Sequence, residues 1–341
     1  MSSKRGSPDS GPRRRELTLD EYAEGVVAGD RAVLARAITL VESSAPAHAA
    51  AAAELLERML PRAGGALRVG ITGSPGVGKS CLIEALGTHL VGALGRKVAV
   101  LAVDPSSSVT GGSILGDKTR MTHLGRDERA FIRPSPSAGS LGGVARKTRE
   151  AMLLCEAAGY DVVLVETVGV GQSEVTVRSM VDFFLLLMLA GAGDELQGIK
   201  KGVIELADAL AITKADGDNA RAAARARGEF ARALGFLTPA TGGWTVEVRT
   251  CSSVTGAGIP ELWQLVEQHH AHARATGHFE LQRRRQALSW MRSLITERLE
   301  RRFYDDARVR AMLPDLERAV EGGSLPASLA ADRLLALLDG C

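Results

Sequence analysis

The sequence predicts an α/β fold in which a mostly parallel central sheet is covered by helices on both faces. Between Leu67 and Gly258, short apolar runs alternate with helical segments, the pattern of repeated strand–helix–strand units. The chain has 341 residues, of which 45% are hydrophobic and 24% charged, so it can bury a large core. A glycine-rich loop follows the first apolar run directly, as in nucleotide-binding domains of this class. Helical regions are predicted on either side of this domain.

Six apolar runs are the predicted strands of the sheet. Their composition is rich in valine, leucine, isoleucine and alanine, and glycine or polar loops follow most of them. Such runs are typical of parallel strands that are buried on both faces. The predicted strands are Leu67–Thr72, Lys97–Val103, Val162–Glu166, Phe183–Leu189, Leu206–Thr213 and Val246–Cys251.

Two segments precede the predicted P-loop domain, which we place at residues 63–258. Residues 1–15 are basic and lack an apolar core, so we expect a disordered tail and no signal peptide. Residues 16–62 are predicted to form a helical extension. Within it, Thr18 and Glu21 have the spacing of a capping box, which marks the start of a helix.

Residues 259–341 return to a helical pattern. A long charged stretch, Phe279–Phe303, is followed by two shorter helices that we expect Pro314 and Gly322-Gly323 to break. Long helices that leave a core commonly pair with a second copy, so we predict a C-terminal helical dimerisation arm and a homodimer. A helix packed back on its own domain is the alternative.

Charge and composition exclude several classes of function. The formal net charge of +2 is concentrated in the tail, so no nucleic-acid partner is expected. The longest apolar run, Val181–Ala190, is too short to span a bilayer, and the four cysteines are scattered without a metal-binding spacing. His269, His270 and His272 are predicted to lie on a solvated helix face and not in a metal site. A cytoplasmic protein without membrane association is expected.

The strongest motif is a complete phosphate-binding loop, G-x-x-x-x-G-K-[ST], between a predicted strand and a predicted helix. Its backbone N–H groups would surround the β-phosphate, Lys79 would reach the β- and γ-oxygens, and the Ser80 hydroxyl would bind Mg²⁺. The predicted nucleotide-binding residues of this loop are Gly73, Ser74, Pro75, Gly76, Val77, Gly78, Lys79, Ser80 and Cys81.

Two further strands end in carboxylates at the same predicted edge. Asp104 follows the second strand, and Glu166 ends the third where a Walker B aspartate usually lies. The following Gly169 is positioned to donate its N–H to the γ-phosphate. Val170 stands where many regulatory GTPases have the glutamine that orients the attacking water, which predicts slow intrinsic hydrolysis. Gln172 or a partner protein are the candidates to replace that glutamine.

A second motif indicates the base. Thr213-Lys214-Ala215-Asp216 matches the guanine element N-K-x-D with threonine in place of asparagine. Asp216 would accept from the N1–H and amine of guanine, Lys214 would cover the base, and Ser252 and Ser253 would contribute backbone N–H groups to the guanine oxygen. Asparagine normally ties this loop to the phosphate loop, and threonine has a shorter reach, so weaker nucleotide affinity with unchanged base choice is expected.

Six motifs in order resemble one family over nearly the whole chain beyond the tail. They are Gly70–Cys81, Val103–Ser108, Gly111–Met121, Glu166–Ser173, Gly191–Gly202 and Thr213–Asp216. Together they resemble the MeaB/MMAA GTPases, also called ArgK proteins, which act as chaperones of adenosylcobalamin-dependent acyl-CoA mutases.

The resemblance implies functional roles for several residues. Asp104, Asp117 and Glu166 correspond to the family's carboxylates around magnesium, and Lys200 lies in a third mobile segment through which the family communicates with the mutase. It implies a GTPase that gates cofactor loading and protection or reactivation of methylmalonyl-CoA mutase or a relative, without binding cobalamin itself. Catalytic roles would fall to Lys79, Asp104, Asp117, Glu166 and Lys200.

Three alternatives compete with this interpretation. A metal-insertion GTPase of the same fold class would normally need a cysteine or histidine metal store. An ATP-dependent kinase linked to transport would prefer ATP and phosphorylate a partner. A structural dimer with a relict nucleotide site would not hydrolyse GTP, and the presence of Lys79, Ser80, Asp104 and Glu166 disfavours it.

Overall fold

The computed structural model describes residues 15, 17–103, 121–134, 141–167, 172–191, 201–235, 239 and 241–338. The chain divides into two compact units, one ending at His278 and one beginning at Phe279. The predicted tail at residues 1–15 lies, except for Arg15, outside the described residues. The domain boundaries given above at residues 62 and 258 stay predictions.

The first unit contains a seven-stranded sheet. Its strands are β1 Leu67–Gly73, β2 Val98–Val103, β3 Ala130–Arg133, β4 Val162–Thr167, β5 Phe183–Met188, β6 Ala209–Ile212 and β7 Glu247–Thr250. They lie in the order β3-β2-β4-β1-β5-β6-β7, and every neighbouring pair is parallel. This confirms the predicted α/β class.

The sequence prediction missed β3 and overextended β6. β3 has four residues at the edge of the sheet, between the charged Asp127–Arg129 and Pro134, so it lacks a long apolar run. β6 begins at Ala209, because the apolar residues Leu206 and Ala207 lie in the turn before it.

Helices cover both faces of the sheet. α4 (Lys79–Gly92) and α9 (Ile259–Ala275) pack on one face with Val69, Ile71 and Leu164. On the other face lie α5 (Leu141–Ala157), α6 (Gln172–Arg178) and α8 (Ala220–Leu234), against residues that include Val165 and Leu186. A short helix, α7 (Lys201–Ile204), precedes β6.

Three N-terminal helices extend this second layer, in agreement with the predicted helical extension. They are α1 (Leu19–Val27), α2 (Arg31–Glu42) and α3 (Pro46–Met59). The predicted capping box starts α1, because the Glu21 N–H donates to Thr18 Oγ1 at 3.2 Å and the Thr18 N–H donates to Glu21 Oε2 at 2.8 Å. Leu34, Ile38 and Leu55 join the core of the sheet's second face.

The second unit is helical, as predicted for the C-terminal region. Its helices are α10 (His278–Asp305), α11 (Ala307–Glu321) and α12 (Ala327–Leu335). Val309, Leu316, Ala330 and Leu334 form a small core between α11 and α12. In the described part of the chain, no helix combines the length and apolar character needed to cross a membrane.

The predicted break at Pro314 is wrong, because this proline lies inside α11. Proline removes one helical N–H donor, but Val309, Leu316 and neighbouring apolar residues pack on α12 on both sides of it. Tertiary packing therefore outweighs the local cost. The other predicted break is confirmed, because α11 ends at Glu321 and Gly322 is its C-cap.

Candidate functional site

The phosphate loop connects β1 to α4 at the carboxyl edge of the sheet. Gly73 has φ = 150°, and a Cβ at this position would lie 2.6 Å from the Leu187 carbonyl oxygen, so only glycine fits. Gly78 caps α4 with φ = 100°, a left-handed conformation that glycine adopts without strain. The loop therefore opens α4 at Lys79 and directs the helix N-terminus toward the edge of the sheet.

Lys79 lies across this loop and is 9% exposed. Its Nζ donates to the Gly73 carbonyl at 2.7 Å and to the Ser74 carbonyl at 3.2 Å. Burial lowers the pKa of Lys79, and the negative charges of Glu166 and Glu174 act against this shift. The ammonium group is thus held inside the loop by two backbone carbonyl groups.

Ser80 and Glu166 meet between α4 and β4. The Ser80 Oγ donates to Glu166 Oε1 at 2.8 Å, and both side chains are buried. A hydroxyl and a carboxylate are oxygen ligands of the kind Mg²⁺ prefers, so this pair fits the magnesium site that the sequence predicts.

The guanine element is joined directly to the phosphate loop. Thr213 follows β6, and its Oγ1 donates to the Val77 carbonyl at 2.7 Å; it also lies 3.3 Å from the Met188 carbonyl. The threonine hydroxyl therefore reaches the phosphate loop despite being shorter than asparagine.

The remaining guanine residues are clustered at the ends of β6 and β7. Lys214 is exposed and has φ = 54°, and its carbonyl accepts from Asn219 Nδ2 at 2.7 Å. Ser252 is fully buried, and its Oγ donates to Asp216 Oδ2. Ser253 beside it is half-buried. This hydrogen bond orients a half-buried Asp216 carboxylate at the edge of the sheet.

The other predicted site residues fall partly outside the described part of the chain. Asp104, Asp117, Gly169 and Lys200 lie outside the described residues. Cys81 is in the first turn of α4 with an exposed thiol. Pro75 and Gly76 are exposed at the tip of the loop, whereas Val77 is buried beneath it.

Sequence reasoning missed a buried ion pair at the opposite edge of the sheet, where β5 and β6 begin. Arg178, at the end of α6, donates from Nη1 to Asp208 Oδ2 at 2.7 Å and from Nη2 to Oδ1 at 3.2 Å. Asp208 is 1% exposed and also accepts from the Phe184 N–H at 2.9 Å. This pair anchors α6, which follows the Glu166 strand, to the neighbouring strands.

The prediction that the α9 histidines form a solvated face is wrong. His269 is buried, with its Nε2 3.0 Å from Thr241 Oγ1 and 3.5 Å from Asp208 Oδ1. His270 and His272 are half-buried. The spacing of Leu262, Val266 and His269 places this histidine in the apolar stripe of α9. This spacing is visible in the sequence, so the burial of His269 could have been predicted from it.

Several known proteins are similar to this chain over most of its length. A family model described as "Methylmalonyl Co-A mutase-associated GTPase MeaB" matches residues 34–308. The chain is 58% identical to a putative GTPase of Caulobacter vibrioides, over 94% of this chain and 98% of that protein. It is 52% identical to GTPase ArgK of Escherichia coli, over 83% of this chain and 85% of that protein.

Two further relatives extend the comparison. The chain is 46% identical to the mitochondrial methylmalonic aciduria type A homolog of Mus musculus, over 94% of this chain and 80% of that protein. A crystal structure named as a LAO/AO transport system kinase superimposes with a TM-score of 0.76 at 39% identity, covering 96% of this chain and all of that one. The chain therefore belongs to the MeaB family of methylmalonyl-CoA mutase-associated GTPases, and it is a P-loop GTP hydrolase.

Proposed function

We propose that this GTPase is a chaperone of an adenosylcobalamin-dependent acyl-CoA mutase, methylmalonyl-CoA mutase or a relative. It would gate cofactor loading and protect or reactivate the mutase, while cobalamin binds to the mutase alone. The observation that carries this proposal is the match of the mutase-associated family model to residues 34–308, which include the nucleotide site. A cytoplasmic location is part of the same proposal.

The described residues support a hydrolytic site with a division of roles. Backbone N–H groups of the phosphate loop and Lys79 would bind the β- and γ-phosphates. Ser80 and Glu166 would hold Mg²⁺, with Asp104 and Asp117 as further proposed ligands. The ion, when bound, neutralises charge that develops on the phosphates. Lys200 is proposed as a further nucleotide contact.

Guanine selectivity follows from the cluster at the ends of β6 and β7. Ser252 fixes Asp216 by a hydrogen bond, so the carboxylate is oriented before the base arrives. Guanine offers two N–H donors to such a carboxylate, and adenine does not. An unpaired carboxylate would disfavour ATP, which argues against the transport-linked kinase.

The coupling to the mutase is proposed to run through three segments, Asp104–Met121, Gly169–Ser173 and Gly191–Gly202. They follow β2, β4 and β5, whose carboxyl ends lie at the same edge as the phosphate loop. GTP with Mg²⁺ would give these segments one arrangement and GDP another, so that the mutase binds the two states with different affinity.

We also propose a homodimer, formed through α10. Leu281, Leu288 and Ile295 recur every seven residues along this helix, and Met291 and Leu299 lie near them; all five side chains are exposed. A contiguous apolar stripe of this kind on a helix favours pairing with a second copy.

The test measures GTP and ATP hydrolysis with and without a purified adenosylcobalamin-dependent acyl-CoA mutase from the same organism. We expect slow, GTP-selective turnover that the mutase accelerates. Lys79→Ala should lower the rate by roughly 10²-fold or more, because it removes a cation from the phosphates. Lys97→Ala, which removes an exposed lysine outside the site, is the matched control.

Two outcomes would contradict the proposal. A rate that no such mutase changes would exclude the chaperone role and leave the GTPase without a client of this class. Preference for ATP together with a phosphorylated partner would favour the kinase alternative.

A further inference from the structure

The strand β3 forms one edge of the sheet and, in the described part of the chain, pairs with β2 alone. The Val98 N–H donates to the Arg129 carbonyl at 2.9 Å, which sets the phase of the hydrogen bonds between the two strands. Alternate residues of a strand bond to the same neighbour, so Phe131 and Arg133 direct their backbone groups toward β2. The N–H and C=O groups of Ile132 therefore point away from the sheet, and among the described residues neither has a hydrogen-bond partner.

A cavity of about 650 Å³ lies along this free edge. One wall is the start of α2, with Arg31, Ala32 and Ala35; the other is formed by residues of Met121–Arg126, and the floor is Phe131–Pro134 of β3 and its continuation. The α2 helix belongs to the core on one face of the sheet and Met121 to the core on the other. The cavity therefore continues the plane of the sheet between its two helical layers, where a further strand would lie about 4.8 Å from β3.

The cavity is also basic. Arg31, Arg126 and Arg133 line it, and none of its described lining residues is an aspartate or a glutamate. Arg133 is already paired with a glutamate of α2. Arg31 donates to the backbone carbonyl of Asp127 at 3.2 Å, while the Asp127 carboxylate pairs with Arg129. Among the described residues, Arg31 and the exposed Arg126 thus form no ion pair.

We propose that the β3 edge is a docking site for an extended, acidic segment of a partner protein, which adds to the sheet as a further strand. The outward backbone groups of Ile132 supply hydrogen bonds to this segment, and Arg31 and Arg126 pair with its carboxylates. A second copy of this chain does not fit the site, because pairing two β3 edges would bring the arginines of both copies together. Since β3 is short and Pro134 follows it, charge supplies much of the specificity.

The experiment measures the binding of a fluorescein-labelled peptide of alternating glutamate and valine to the full-length protein by fluorescence anisotropy. We expect saturable binding that weakens as salt is added, and no binding of the same peptide with lysine in place of glutamate. Arg126→Glu should weaken binding about tenfold or more and leave the melting temperature unchanged, because the side chain is exposed. Arg232→Glu, at an exposed arginine of α8, is the matched control and should bind the peptide as the wild type does.

Two further measurements test the addition of a strand. A peptide whose backbone amides are all methylated keeps its charges but cannot donate, so it should not bind. In ¹⁵N-labelled protein, saturating peptide should slow the exchange of the Ile132 N–H with water about tenfold, with little change at Phe131 and Arg133, which already bond to β2.

Three outcomes would overturn the proposal. Equal binding of the methylated peptide would show only an anion adsorbed to the arginines. An absence of binding at millimolar peptide would leave the edge without an acidic partner, and an unchanged affinity in Arg126→Glu would exclude the charge pairing. Because neither nucleotide nor mutase is present, these results are independent of the chaperone proposal.

Discussion

Thr213 joins the two ends of the nucleotide site through one hydroxyl group. Its hydrogen bond to the Val77 carbonyl connects the guanine element after β6 to the phosphate loop after β1. Thr213 is 2% exposed, so water does not replace this bond if it is lost. The predicted guanine element and the phosphate loop are therefore held together by a buried hydrogen bond.

Removing this hydroxyl group should destabilise both the guanine element and the phosphate loop. Thr213→Val keeps the shape but leaves a buried carbonyl without its donor, so we expect a loss of about 1–3 kcal/mol in unfolding free energy and weaker GDP binding. Urea unfolding and titration with a fluorescent GDP analogue measure the two effects. Thr213→Ser keeps the hydroxyl and should retain GDP affinity. Equal GDP affinity in Thr213→Val would show that the bond does not support the site.

The sequence was most informative where local chemistry specifies the residue. Gly73 and Gly78 are required by backbone geometry, and Lys79 and Ser80 complete the phosphate-loop motif, so the loop could be recognised without tertiary structure. The partners of Asp208 and His269 could not be identified in this way. A single polar side chain on an apolar face is explained only by groups that lie far away in the sequence.

At the scale of secondary-structure elements, α6 is held at its carboxyl end by an ion pair. Arg178 in its last turn pairs with Asp208. Burial acts to raise the pKa of Asp208, but the positive charge of Arg178 and the interactions with His269 and the Phe184 N–H outweigh it and place this pKa below its ordinary value. The pair therefore stabilises the folded state while Asp208 is ionised.

Removing this carboxylate should destabilise the fold in a pH-dependent way. Asp208→Asn leaves Arg178 buried without its counter-ion, which costs about 3–5 kcal/mol at neutral pH. Since the folded-state pKa of Asp208 is lowered, its contribution is complete above the unfolded pKa of about 4 and is lost as the pH falls through the folded value. Wild-type and variant unfolding free energies, measured by urea at several pH values, should therefore converge in acid. A constant difference down to pH 2 would contradict this.

Long strands could be predicted from the sequence, whereas a short edge strand and a helix that contains a proline could not. β1, β4 and β5 are rich in apolar residues and lie within one residue of their predicted bounds. β3 is a four-residue edge strand whose formation depends on pairing with β2, and Pro314 remains helical because α11 packs on α12. In both cases a nonlocal contact outweighs the local sequence preference.

At the scale of the whole molecule, the parallel sheet brings distant motifs to one edge. The phosphate loop, Glu166, Thr213 and Ser252 follow or end β1, β4, β6 and β7 respectively, and all four strands point the same way. This convergence could be predicted from the alternation of strands and helices. The sequence pattern did not decide whether the C-terminal helices pair with a second copy of the chain or pack back on their own domain.

The exposed stripe on α10 leads to a prediction about oligomeric state. We expect the wild type to sediment at twice the 35.9 kDa chain mass, and Leu288→Glu combined with Ile295→Glu to sediment as a monomer, because charges would be buried in the apolar interface. Leu60→Glu, at an exposed leucine of the other unit, should remain dimeric. The monomeric variant should keep its intrinsic GTP hydrolysis, since Lys79, Thr213 and Asp216 belong to the first unit. A monomeric wild type, or a dimeric double variant, would assign this apolar stripe to a contact other than self-association.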